Sequence, residues 1–162
     1  MKIISFNINS VRARPHQLEY IRDHLDPDVI GLQETKVHDD EFPVELINEI
    51  GYHCEYWGQK GHYGVALLSK KKPIEVSKGF LKDTAEDQKR FIQGRYKFKK
   101  NDIYILNGYF PQGENRNHET KFPKKIKYYK DLKDHIKKLQ RSTSNIIVMG
   151  DFNVAPSKND IG

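Results

Sequence analysis

The chain is predicted to fold as an α/β layered sandwich with mixed sheets. Three observations carry this. Short apolar runs of strand length alternate with stretches of helical period along the sequence. One run, "DVIGLQE", is almost continuously apolar, as expected of a central strand covered on both faces. The middle of the chain is a series of strand-like pieces separated by Gly, Pro or charged turns, a spacing that suits antiparallel hairpins.

Taken in order, "KIISFNI" is a strand ending at Asn7. A helix from about Pro15 to Leu25 follows, with Leu18, Ile21 and Leu25 on one face. "DVIGLQE" ends at Glu34, and a short helix spans about Pro43 to Ile50. "YHCEYWG", "YGVALLSKK", "PIEVSKGF", "FIQGRYKFKK" and "DIYILNGYF" are the hairpin strands. A basic helix then runs from about Pro123 to Leu139, since Pro is tolerated in a first turn. Its apolar side is expected to be Ile126, Tyr129, Leu132, Ile136 and Leu139, with Lys124, Lys127, Lys130, Lys137 and Lys138 facing away. The last strand is "NIIVMGDFN".

At 162 residues the chain has the length of one ordinary domain, with apolar residues clustered enough to argue against disorder. Its net charge of +6 suits an anionic partner, nucleic acid first, or simply solvated Lys-rich helix faces. The single cysteine, Cys54, excludes an intramolecular disulfide and points to a reducing compartment. It reads as a semi-buried small hydrophobe, because no Cys–His pattern surrounds it. No apolar run approaches the roughly 20 residues of a membrane span. The N-terminus alternates like a strand and lacks the core of a secretory signal, so a cytoplasmic location without membrane contact is expected.

Polar residues stand where apolar strands end: Asn7, Glu34, Tyr109, Asp151 and, just beyond, Asn153. If those ends share one side of the sandwich, five polar side chains converge where α/β sheets commonly bind ligands. Glu34 and Asp151 are hard oxygen donors, and Asn7 and Asn153 add amides. The seven histidines are scattered, without zinc-ligand spacing. An oxygen-only, carboxylate-poor site suits Mg²⁺ completed by a substrate phosphate. Each residue also has a plain reading: Asp151-Phe152-Asn153 as a local turn, Glu34 as a solvated strand end, Tyr109 as core. Only their conjunction separates the two.

The segments "SFNINSVRAR", "DVIGLQETKV", "GHYGVALLSK", "NGYFPQG", "KFPKKIKYY" and "MGDFNVAP", in this order, strongly resemble the exonuclease III/apurinic endonuclease family, part of the wider endonuclease/exonuclease/phosphatase superfamily. "LQET" and "GDFN" are general to the superfamily. "NINSVRAR" and "NGYFPQG" are specific to its DNA-repair branch. The resemblance implies a four-layer α/β sandwich and Mg²⁺-dependent hydrolysis of DNA phosphodiesters, with Mn²⁺ as a substitute. It implies incision on the 5′ side of abasic sites and 3′→5′ removal of nucleotides and blocked ends from duplex DNA.

By the same resemblance Glu34 is the principal metal ligand, Asn7 lies beside it, and Asp151 and Asn153 belong to the metal site. Tyr109 contacts the scissile phosphate. Asp151 activates or orients the nucleophile, or protonates the leaving group. Asn153 steadies the transition state. Arg90, Gln112, Gly113 and Lys121 are expected DNA contacts, with a solvated charge the alternative for Arg90 and Lys121. The family's S-D-H segment does not occur in this sequence. Residues 1–162 are therefore expected to be the N-terminal part of a single domain whose C-terminal third is absent, inactive alone and monomeric at full length. Rival readings are a catalytically incomplete nucleic-acid-binding fragment and a phosphoesterase for another substrate.

Overall fold

The computed structural model describes residues 1–155 and 157–160, so Pro156 of the "GDFNVAP" motif lies outside the described residues. The first four-stranded sheet contains β1 (Ile3–Asn7), β2 (Val29–Gln33), β3 (His53–Trp57) and β4 (Val65–Ser69), in the order β1-β2-β4-β3. The second contains β5 (Glu75–Lys78), β6 (Phe91–Phe98), β7 (Asn101–Tyr109) and β8 (Ile146–Asp151), in chain order. Helices α1 (Pro15–Leu25), α2 (Val44–Glu49) and α3 (Lys121–Leu139) complete the main elements. Both sheets are mixed. β1 and β2 are parallel, as are β7 and β8, and the other pairings are antiparallel.

Strand periodicity sorts the apolar side chains into three layers of contact. Val29, Val65 and Leu67 of the first sheet meet Ile92, Tyr96, Ile105 and Met149 of the second, so the sheets pack face to face. Alternate residues Ile30, Leu32, Ala66 and Leu68 turn outward to Leu18, Ile21 and Ile47 of α1 and α2. On the opposite side, Leu106 and Phe91 meet Tyr128 and Leu132 of α3. The order is helix, sheet, sheet, helix: the expected four layers. β2 is central and buried along all five residues.

Two helix faces differ from the periodicity. Leu25 is 43% exposed, because the chain reverses at Asp26 (φ 44°) and carries the last turn off the sheet. In α3, which starts at Lys121, Ile126 is 53% exposed, and Tyr128 takes the inward position instead. The Tyr128 hydroxyl donates to the Arg90 carbonyl, which lets a polar side chain compete for that slot. Among the described residues, no helix is long and apolar enough to cross a membrane. Cys54 is half-buried, and burial pushes its thiol up to about 11, as an inert packing residue requires.

Candidate active site at the strand ends

The two parallel strand pairs determine where the site lies. In register, Asn7 stands beside Gln33, so Asn7 and Glu34 leave the first sheet at the same end. Tyr109 stands beside Asp151 at the matching end of the second sheet. The Asn7 amide nitrogen donates to Glu34 Oε1 at 2.8 Å and to Asp151 Oδ2 at 3.0 Å. The ends of the two sheets therefore meet, and Asn7, Glu34, Tyr109 and Asp151 form one half-buried cluster.

The backbone around the cluster is unusual. Asn9, Ser10, Glu34, Lys36 and Asn153 all have positive φ, a conformation that non-glycine residues hold only when their surroundings impose it. Those surroundings are visible. Ser10 and Val11 donate backbone bonds to the Glu34 and Thr35 carbonyls, while Thr35 and Lys36 donate to Gly64 and Tyr63.

Electrostatics separates the Glu34 carboxyl from the Tyr109 phenol. Burial pushes the Glu34 carboxyl up, but hydrogen bonds from Asn7, Lys36 and Tyr109 outweigh it and hold the group below its ordinary value. Lys36 Nζ lies 2.9 Å from Glu34 Oε2 and donates to Asn9 Oδ1 at 2.5 Å. Tyr109 is pushed up to about 12, first by burial and then by the neighbouring Glu34. At neutral pH the cluster thus presents an ionised carboxylate and a neutral phenol able to donate.

Asn153 is held through its two nitrogens. Its side-chain nitrogen donates to the Phe110 carbonyl at 2.8 Å, and its backbone N–H donates to Asp151 Oδ1 at 3.2 Å. Asp151 and Asn153 therefore do form the local turn that such residues favour, and Asp151 reaches Asn7 from within it. Four of the five polar side chains meet directly; Asn153 braces the fourth.

The expected DNA contacts are also distinct from one another. Gln112 is exposed, while Gly113 (φ 76°) is buried against the Lys125 stem. Lys121 is exposed and paired with Glu114. Arg90 is half-buried over the rings of Tyr63 and Tyr109. Sequence reasoning missed Lys36, Tyr63, Lys125 and Asn107. Lys36 had a local signal, standing two residues after Glu34; the others depend on contacts from distant segments.

The donor set fits a hard divalent cation. Two carboxylates are drawn to one amide nitrogen in a half-buried site, an arrangement that a small oxygen-seeking ion would stabilise. Among the described residues no group of three His, Cys, Asp or Glu side chains could hold a metal. Mg²⁺, which keeps several waters and needs one or two carboxylates, suits such a site; zinc does not.

Fold and cluster together define the class: a four-layer α/β sandwich with an acidic site where its two sheets end. Residues 4–162 match the endonuclease/exonuclease/phosphatase family, and the chain belongs to that family. It is 52% identical over 162 residues to exodeoxyribonuclease III of Haemophilus influenzae, covering 100% of this chain and 61% of that protein. It is 29% identical to an exodeoxyribonuclease of Bacillus subtilis, covering 99% of this chain and 62% of the relative. Among solved structures, an AP endonuclease from Archaeoglobus fulgidus superposes with a TM-score of 0.83 at 33% identity, covering 98% of this chain and 59% of that one. A Neisseria 3′ phosphatase bound to a product DNA hairpin gives a TM-score of 0.88 at 29% identity, covering 98% and 60%. The chain thus spans about 60% of the length of these relatives.

Proposed function

We propose that this chain carries one side of the active site of a DNA-repair phosphodiesterase, which incises duplex DNA 5′ of abasic sites and removes nucleotides or blocking groups from 3′ ends. The observation that carries this reading is the Asn7 amide bound to both Glu34 and Asp151, beside Tyr109. The names of the relatives, exodeoxyribonucleases and AP endonucleases, support the substrate class. The 61% coverage supports reading residues 1–162 as the N-terminal part of a single, longer domain, which we take to be monomeric when complete. One inert cysteine supports a reducing, cytoplasmic setting.

In this reading Glu34 is the principal ligand of Mg²⁺, or of Mn²⁺, with Asn7 and Asp151 at its side. The bound ion would supply Lewis-acid polarisation of the phosphate and stabilise the departing oxygen. The protein groups do the rest. Tyr109, a neutral phenol, donates to a phosphate oxygen and orients the scissile group. Asp151 orients the attacking water or handles the proton of the leaving oxygen. Asn153 fixes the Asp151 carboxylate through its backbone N–H. Gln112, Gly113 and Lys121 position the duplex by its backbone, without reading bases.

The test uses the full-length protein and a duplex with one abasic site, in Mg²⁺ and after chelation, with RNA and phosphoinositide substrates in parallel. Cleavage 5′ of the abasic site that needs the metal and is abolished by Glu34→Ala is the expected result. Preference for another substrate, or turnover unchanged by Glu34→Ala, overturns the reading.

A further inference from the structure

Arg90 was expected to touch DNA, yet its charge is half-buried and its bonds turn inward. Its Nε donates to Gln88 Oε1 at 2.6 Å and its Nη1 donates to the Tyr109 carbonyl at 3.0 Å. Its guanidinium carbon lies 4.2 Å from the Tyr63 ring centre and 4.6 Å from that of Tyr109. The Arg90 carbonyl accepts the Tyr109 backbone N–H at 2.8 Å. Tyr109 is therefore gripped by one residue at its N–H, its carbonyl and its ring.

The grip extends to the other sheet. Gln88 Nε2 donates to the Tyr63 hydroxyl at 2.8 Å, which joins Arg90 to Tyr63 a second way. Tyr63 itself is held at φ 60°, and its carbonyl accepts the Lys36 backbone N–H at 3.0 Å. Lys36 pairs with Glu34, and Asn7 ties Glu34 to Asp151, the register partner of Tyr109. The contacts run from Tyr109 through Arg90, Tyr63 and Lys36 to the carboxylate site. A strained tyrosine persists in such a place because both neighbours determine its position.

We propose that Arg90 is a positioning residue that sets the Tyr109 phenol against the carboxylate site, and that Tyr63 is the platform holding Arg90 in place. This rests on the functional reading above, in which Tyr109 meets the phosphate. Lysine is a poor replacement for arginine here, because an ammonium lacks the planar group that lies over both tyrosine rings while donating to Gln88 and to the Tyr109 carbonyl.

The full-length protein with Arg90→Lys, Arg90→Gln, Tyr63→Ala and Tyr63→Phe, assayed on the abasic duplex over a range of salt, tests this. Expected is a fall in kcat on the order of 10- to 100-fold for Arg90→Lys, Arg90→Gln and Tyr63→Ala, as a displaced catalytic group produces. KM and the salt slope stay close to wild type, and Tyr63→Phe, which keeps the ring face but loses the bond from Gln88, lowers kcat less than Tyr63→Ala does. Rescue by Arg90→Lys, or a KM defect with the salt slope reduced by about one, marks Arg90 as a phosphate contact and overturns the proposal. NMR of the Arg90 Nε–H provides a readout independent of cleavage. A slowly exchanging, ring-shifted signal that Tyr63→Ala moves supports the clasp; a freely exchanging signal refutes it. Wild-type protein that leaves abasic DNA intact counts against the functional reading, and the NMR result still decides the clasp.

Discussion

Asn7 and Asp151 stand 144 positions apart, and the amide of the first donates to the carboxylate of the second across 3.0 Å. Since the same nitrogen serves Glu34, one NH₂ group ties the two sheets together where they end and keeps two mutually repelling carboxylates close. Asn7→Ala removes the shared donor and leaves the repulsion. The expected loss of stability at neutral pH is about 1–3 kcal/mol. Millimolar Mg²⁺ should recover part of it by placing a positive charge between the two carboxylates. Thermal melts of the full-length variant with Mg²⁺ and with chelator measure this. Equal losses under both conditions would remove Glu34 and Asp151 from the metal site.

Deeper between the sheets, Asn107 is fully buried. Its Oδ1 accepts from Gln33 at 2.6 Å, and its Nδ2 donates to the Leu32 and Ala66 carbonyls, both at 2.9 Å. Gly31 makes the crossing possible, since a Cβ there would stand 2.9 Å from the Asn107 amide and 2.3 Å from Met149 Cε. Asn107→Leu takes the amide donor from the buried Leu32 and Ala66 carbonyls, each at a cost of about 1–3 kcal/mol, while Gln33 Nε2 keeps Ser5 Oγ and the Gly31 carbonyl. A loss of about 2 kcal/mol or more in urea unfolding is expected. A loss below about 1 kcal/mol would show that Asn107 is not the clasp between the sheets.

How much of this was legible follows from where each signal resides. The strands and their polar ends were readable because an apolar run that stops at Asn7, Glu34, Tyr109 or Asp151 is a local pattern. Asn107 lies inside the strand "DIYILNGYF", where nothing local marks it as a clasp; its partners are on strands far away in the chain. In α3, Ile126 and Tyr128 fit helical period about equally, and only the Arg90 carbonyl decides between them. Arg90 reads as a surface charge until Tyr63 and Tyr109 are placed around it. Asn153 looked like a ligand because its type suits one, and the bond from its nitrogen to the Phe110 carbonyl, set by a distant segment, was not readable from that type.

His135 makes stability depend on pH. Its Nε2 lies 2.7 Å from Gln93 Oε1, and its ring packs edge-on against Phe80 and Phe91. Burial, then the charge of Lys138, lowers its pKa from the ordinary 6.5. A histidine lowered in the folded state is protonated first in the unfolded chain, so stability falls as pH drops below that ordinary value, until the folded form also takes the proton. Melts between about pH 7 and about pH 5 should show this fall, and His135→Gln should flatten that part of the curve. An unchanged slope in the variant would assign the acid sensitivity to other groups.

Lys125 joins the two loops that leave the second sheet. Its Nζ donates to the Gln112 carbonyl at 3.0 Å and to the Asn153 carbonyl at 2.7 Å. A Cβ at Gly113 would lie 2.7 Å from Lys125 Cδ, so the loop after β7 is shaped around the lysine stem. Lys125→Met keeps most of that stem and loses both bonds. In the full-length protein it should lower kcat about 10-fold by loosening the Asp151–Asn153 turn, for a stability loss of about 1–2 kcal/mol. Gly113→Ala, strained at φ 76°, should displace the same ammonium, so the two substitutions share a partner. Their combined effect on kcat should then fall short of the product of the single effects, as for any pair acting through one contact. Multiplicative effects in a double-mutant cycle would show that Gly113 and Lys125 reach the site by separate routes.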